Sequence, residues 1–300
     1  MVAGAFGPQS YRRASGARLV KALIFGATGQ VGMALLQHFD VEVPTRAEAD
    51  FLNPARCADI VRQTSADVVI NAAAYTAVDA AEDDYEAALT INATTPGVLA
   101  EVCAEKGQPF FHISTDYVFD GSGEKGWREE DPVCPINTYG RSKSLGEDAV
   151  LAAGGRAFVL RTSWVFSQGG GNFVRTMLRL AQERESLDVV SEQVGGPTFA
   201  GDIGAALKVM AEKVADTPSL AGGIYHFAGA PEVSRADWVR EAVSRAGLET
   251  DVRDVPLSAF PTPAQRPLNS RLNCDKIAEE FGIEQPDWRR VINRDWLNDT

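Results

Sequence analysis

The stretch Leu23-Ile-Phe-Gly-Ala-Thr-Gly-Gln-Val-Gly32 decides the fold. A short apolar run stops at three glycines spaced by two residues, and an amphipathic segment follows, so the order is strand, tight turn, helix. Glycine lets the backbone of such a turn approach a pyrophosphate, while the start of the helix offers free N–H groups and a partial positive charge. Gly26, Gly29, Gln30, Val31 and Gly32 are therefore expected to hold a dinucleotide.

Further apolar runs at 68–70, 110–113 and 158–160 read as buried strands, and helical patterns at 31–39, 54–63, 85–105 and 138–153 supply the crossovers. This alternation predicts an α/β chain with a Rossmann-type doubly wound parallel sheet. After Trp164 the regularity weakens through Gly169-Gly-Gly171, a polar helix at 172–184 and a Pro-rich segment at 256–267, which suggests a smaller C-terminal α/β lobe for substrate. A helix at 203–214 and a strand at 223–227 return the chain to the first unit. The expected division is 19–165 with about 202–228 for NAD(P), and 166–201 with 229–300 for substrate. Residues 1–18 have no apolar segment of signal-peptide length and read as a disordered leader.

With 300 residues and a 45% hydrophobic share, the chain can bury a full core. Its 29 basic and 41 acidic residues leave a net charge of -12, which argues against nucleic acid as a partner. No apolar run is long enough for a membrane helix. Cys57, Cys103, Cys134 and Cys274 lack metal-ligand spacing and read as free thiols of a cytoplasmic protein. His38, His112 and His226 are isolated and read as packing or surface residues.

Tyr139 and Lys143 stand four apart in the helical pattern at 138–153, so they share one face and are offset by roughly 6 Å along the axis. Alone, such a pair is commonly a half-buried ring beside a solvated charge. Downstream of a glycine turn it reads as chemistry, because a nearby cation would draw the phenol pKa from about 10 towards neutrality and make Tyr139 a proton donor. Thr115, in Ser114-Thr-Asp116, emerges at the carboxyl edge of the sheet, where its hydroxyl can meet a ketone oxygen beside Tyr139. Ala72, Ala73 and Ala74 leave room for adenosine and its ribose. Asp50 and Phe51, shortly beyond the turn, are within reach of the adenosine portion, although Asp50 could equally cap a helix ahead of Pro54. Arg46, expected at the end of a second strand, could pair with a 2'-phosphate, while Glu42 and Glu48 weaken that preference. NADPH is the expected cofactor, with NADH possible.

Taken together, Phe25 to Gly32, Val69-Ile-Asn-Ala-Ala-Ala-Tyr-Thr-Ala-Val-Asp79, Ser114-Thr-Asp-Tyr-Val-Phe119, Arg161-Thr-Ser-Trp-Val-Phe166 and Arg266-Pro-Leu-Asn-Ser-Arg-Leu-Asn273 resemble one family, over residues 20 to 298. It is the dTDP-4-dehydrorhamnose reductases, extended short-chain reductases that complete dTDP-L-rhamnose synthesis. The resemblance implies catalysis by Tyr139, Lys143 and Thr115, with Lys143 also holding the nicotinamide ribose. It implies a dTDP-linked 4-keto-6-deoxy sugar held by Thr115, Asp116, Trp164 and the loop containing Arg266 and Asn269. Arg161 and Arg235 are alternative partners for the diphosphate. Family members that hold magnesium at a subunit contact carry an acidic residue where this chain has Ala34, and their second ligand position falls on or next to Gly201, with Asp202 nearby. Magnesium is accordingly not expected, and a homodimer is possible but has no support in the sequence. Other readings are a reductase, epimerase or dehydratase for another nucleotide-linked keto sugar, and a non-catalytic NADP-binding regulatory subunit.

Overall fold

The structure, a computed structural model, describes residues 20–297. The expected leader at 1–18 lies outside the described residues. Six parallel strands form the central sheet: β1 (Lys21–Phe25), β2 (Asp40–Glu42), β3 (Val68–Asn71), β4 (Phe110–Thr115), β5 (Ala157–Thr162) and the strand Gly223–His226. Their spatial order is Gly223–His226, β5, β4, β3, β1, β2, so connections run outward in both directions from the centre. Strands β3, β4 and β5 are apolar along most of their length because helices cover both faces, which buries successive side chains alike. One apolar layer joins Ile24, Ile70, Phe111 and Phe158 to Leu207 and Met210; the other joins Phe25, Val69 and Phe110 to Val61, Leu99 and Val150.

The crossovers are α1 (Gln30–Leu35), α2 (Pro54–Gln63), α3 (Tyr85–Leu89), α4 (Thr95–Glu105) and α5 (Thr138–Ala152). Two depart from the sequence reading. Helix α1 ends at Leu35 instead of 39, because the amides of Gln37 and His38 bond three residues back, to Ala34 and Leu35, and tighten the last turn. The expected single helix at 85–105 is interrupted by a wider π turn at Thr90–Thr94, in which the Thr95 amide reaches back to the Thr90 carbonyl. Pro96 has no N–H for the Asn92 carbonyl, and the Asn92 side chain is engaged elsewhere, on both backbone groups of Tyr75 and on Ser142 Oγ. Strand β2 ends at Glu42, four residues short of Arg46, which is exposed on the following turn.

The rest of the chain adds α6 (Phe173–Glu183), α7 (Ala200–Asp216) and α8 (Arg235–Arg245). Helix α7 packs on α1, and the strand Gly223–His226 pairs with β5, so this part of the chain rejoins the first sheet. Beyond it, Trp164, Phe166, Leu178, Trp238, Trp288 and Trp296 make a separate apolar cluster. It is framed by the paired strands Ser186–Val190 and Asp251–Val255. Side-chain contacts tie these later segments to the first unit. Gln30 Oε1 accepts from Ser167 and Asn172, and Arg266 pairs with Asp79 at 2.6 Å.

Candidate active site

The carboxyl ends of β1, β3 and β4 deliver the glycine turn, Asn71 and Thr115 to one edge of the sheet. Gly26 has φ +80°, and a Cβ there would lie 2.4 Å from the Ala73 nitrogen; a Cβ on Gly32 would lie 2.1 Å from the Gly26 carbonyl oxygen. Any side chain at either place would split the turn from Ala72–Ala73 or from α1, so both glycines are required by contact, and Gly26 by conformation as well. The Asp50 carboxylate accepts from the Leu52 amide, and Phe51 is buried edge-on against Phe25. Asp50 does not cap α2: Asn53 does, accepting from the Arg56 amide.

Helix α5 starts at Asn137, whose side chain accepts from the Gly140 amide at 2.7 Å. It presses on the segment after β4 so closely that a Cβ on Gly140 would meet the Tyr117 carbonyl at 2.1 Å. That approach brings Tyr139 to Thr115 and Lys143 to His112 and Ile113 of β4. The Tyr139 ring stands edge-on to Tyr117, with centroids 5.6 Å apart. Lys143 is 1% exposed, and its side-chain nitrogen lies 2.6 Å from the Ile113 carbonyl and 3.1 Å from His112 Nε2.

The electrostatics correct one expectation. Tyr139 is pushed above its usual pKa, chiefly by burial and further by Asp116 and Tyr117, while the Thr115 hydroxyl pulls the other way. Lys143 does not depress it, because the Lys143 nitrogen is turned to His112 and to the main chain; burial lowers Lys143 itself to about 8. Asp116 is buried and raised to about 6, mainly by desolvation. Its Oδ1 accepts from Thr115, Ser270 lies close by, and its Oδ2 has no hydrogen-bond partner among the described residues.

The arginines separate by partner. Arg161 is buried and spent on Glu147, with both carboxylate oxygens within 3.1 Å, so it is not free for a diphosphate. Arg266 is held by Asp79 and the Ala264 carbonyl. Asn269 is 2% exposed, donates to the carbonyls of Ser122 and Lys125 and accepts from Arg271, so its side chain braces its own loop. Arg235 differs: its guanidinium stacks 3.7 Å from the Trp164 ring centre, and no carboxylate pairs with it among the described residues. Trp164 has φ +46°, a backbone conformation rare outside glycine. It packs against Trp238 and leaves 8% of its surface exposed.

Sequence reading missed Asn71 and His112 as part of this arrangement. Both are fully buried, directly paired in the β3–β4 register, and bonded through their side chains at 3.0 Å. A polar residue closing one apolar strand and a histidine inside the next were the available signal. Asp202, near the second magnesium position, is taken by Arg290, and no cluster of three metal-ligating side chains occurs among the described residues.

Residues 20–298 match the family described as RmlD substrate binding domain. The dTDP-4-dehydrorhamnose reductase of Burkholderia thailandensis is 45% identical over 291 residues, covering 91% of this chain and 97% of that one. This protein belongs to the dTDP-4-dehydrorhamnose reductase family. The Escherichia coli K12 reductase is 41% identical over 91% of this chain and 95% of its own length. Among solved structures, the Bacillus anthracis reductase in complex with NADP superposes with a TM-score of 0.84 at 32% identity, covering 94% of this chain and all of that one. No helix among the described residues of this reductase-family chain is long and apolar enough to cross a membrane.

Proposed function

We propose that this chain reduces the C4 ketone of dTDP-4-dehydro-6-deoxy-L-mannose to give dTDP-L-rhamnose, using NADPH with NADH as a second donor. The observation that carries the reading is Thr115 at the edge of β4 beside Tyr139, with Lys143 buried behind it, in a member of this reductase family. The dinucleotide fits the turn at Gly26 to Gly32, where two positions have no room for a side chain, with Ala72 to Ala74 alongside. Gln30, Val31, Asp50 and Phe51 complete that side. Bound there, the reduced nicotinamide supplies the hydride.

Thr115 orients the ketone oxygen, and Tyr139 gives its proton to the alkoxide that forms. A phenol kept protonated by burial is stocked for that single donation. Lys143 holds the donor side from below. Asp116 offers an unused carboxylate oxygen to a sugar hydroxyl, and Trp164 with Arg235 walls the substrate, Arg235 meeting its anionic part. Arg266 and Asn269 shape the loop across from them. The nucleotide unit is 19–165 with 202–228, and the substrate unit is 166–201 with 229–300. Contacts through Gln30 and Arg266, among others, support a cleft between them.

The deciding experiment follows nicotinamide absorbance with purified protein, NADPH or NADH, and dTDP-4-keto-L-rhamnose, with the product identified by NMR. Stoichiometric oxidation with formation of dTDP-L-rhamnose is expected. An epimerase or dehydratase would give product without net oxidation, and a regulatory subunit would bind NADP and give neither.

A further inference from the structure

We propose that Asn71 and His112 act as a tautomer lock on Lys143, aiming an imidazole N–H at the lysine nitrogen and favouring the free amine of that side chain over its ammonium. The chain of reasoning starts at a main-chain donor whose direction is fixed. The Ala73 amide donates to Asn71 Oδ1 at 3.0 Å, which settles the orientation of the carboxamide: its oxygen faces Ala73 and its NH2 faces His112. Flipping it would set two donors against each other. His112 Nδ1, 3.0 Å from Asn71 Nδ2, must then accept, so the neutral ring carries its proton on Nε2. Nε2 lies 3.1 Å from Lys143 Nζ, and a donor there requires a lone pair on that nitrogen. An ammonium has none. The amine satisfies both contacts at once, accepting from His112 and donating to the Ile113 carbonyl at 2.6 Å.

The surroundings agree. His112 lies in full burial, which by itself strongly disfavours the imidazolium form, so the ring stays neutral. Burial also lowers Lys143, to about 8, so the amine becomes its major form from about that pH upward. The charged group opposing this is Glu147 on the same helix, and it is bonded through both oxygens to Arg161 on β5. Asn71 is therefore a positioning residue that acts through His112. It biases Lys143 against the ammonium that the reduction draws on, so recharging Lys143 takes a proton from solvent and must overcome the lock. This use in turnover rests on the reductase reading; the tautomer itself does not.

Two measurements test it on the intact chain. With 15N-histidine, a long-range 1H–15N spectrum reports the tautomer of each of the three histidines, and His112→Gln assigns the one that matters. The expected result is a neutral ring protonated on Nε2. A proton on Nδ1, or an imidazolium at pH 7, overturns the proposal. With 15N-lysine, Lys143 should titrate lowest among the lysines, and Asn71→Asp should raise it by at least about one unit, because a carboxylate accepts from Nδ1–H and turns Nε2 into an acceptor. The basic limb of the pH–rate profile should move up with it, which loss of packing alone would not produce. An unmoved Lys143 in a folded Asn71→Asp variant overturns the lock; should that variant not fold, the histidine spectrum of the parent decides. If the keto sugar is not reduced while the Nε2 tautomer is found, the function fails and the lock stands.

Discussion

Arg235 is a cation that the fold carries at a cost. Burial takes its pKa from 12.5 to about 10, even though Tyr117 and Asp116 pull it back up. A shift of roughly 2.5 units at ~1.36 kcal/mol each puts an upper bound near 3 kcal/mol on that cost. Stacking on Trp164 returns up to about 2 kcal/mol. Because the folded pKa lies below the unfolded one, the unfolded chain holds more protons between about pH 10 and 12.5; stability rises with pH only there, and at pH 7 the whole cost is present. Arg235→Met keeps an apolar contact with Trp164 and removes the charge, so the fold should gain roughly 1 kcal/mol. At ~2.1 cal/mol/K per residue, that is a rise in Tm of about 1–2 °C for a chain of this length. The same change removes a charge-assisted contact worth about 1.5–3 kcal/mol, so kcat/KM for the nucleotide sugar should fall roughly 10- to 150-fold, mostly through KM. Calorimetry and steady-state kinetics on one preparation read both numbers. An unchanged KM, or a fall in Tm of more than about 5 °C, would refute the reasoning by making Arg235 a structural cation.

Tyr139→Phe should cut turnover by at least about 100-fold with NADPH binding retained by fluorescence titration; reduction at the parent rate would remove Tyr139 as the proton donor. Glu147→Gln strands the buried Arg161 charge and should cost about 3–5 kcal/mol in urea unfolding, whereas Glu147→Leu with Arg161→Met should recover most of that and leave KM near the parent value. Asp116 has a folded pKa of about 6 against 3.8 unfolded, so the folded chain binds the extra proton between those values and stability falls as pH rises through them. Asp116→Asn should flatten that decline, by at most roughly 3 kcal/mol, in unfolding curves at pH 4.5 and 7.

The parallel sheet was legible because a strand covered on both faces must be apolar throughout, and Val68 to Ile70 or Phe158 to Leu160 can hardly be anything else. The cap at Asn137 and the crowding of Gly32 on Gly26 follow from local rules, so the turn and the start of α5 could be placed from sequence, whereas the crowding of Gly26 on Ala72 and Ala73 forms only across the sheet. The π turn at Thr90–Thr94 could not. Its cause is spread over Pro96, Tyr75 and Ser142, which meet only after the chain has folded, and periodicity alone reads straight through it.

For the site, residue type proved a weaker guide than what each side chain has already bonded. Arg161, Arg266 and Arg235 look equivalent as basic residues in an acidic chain, yet Glu147 and Asp79 neutralise two of them and leave the third on a tryptophan. His112 looked inert because an isolated histidine in an apolar run usually packs; its meaning comes from Asn71, 41 residues away in sequence and directly opposite in register. The expectation that Lys143 lowers the Tyr139 pKa failed for the same reason. A four-residue spacing brings two side chains to one face of a helix, but the Lys143 nitrogen turns to the His112 ring and the Ile113 carbonyl, and both lie on β4. Charge at this site is therefore set by the strand the helix packs on, which is why a substitution at Asn71, remote from the reacting ketone, should move the pH dependence of the reaction.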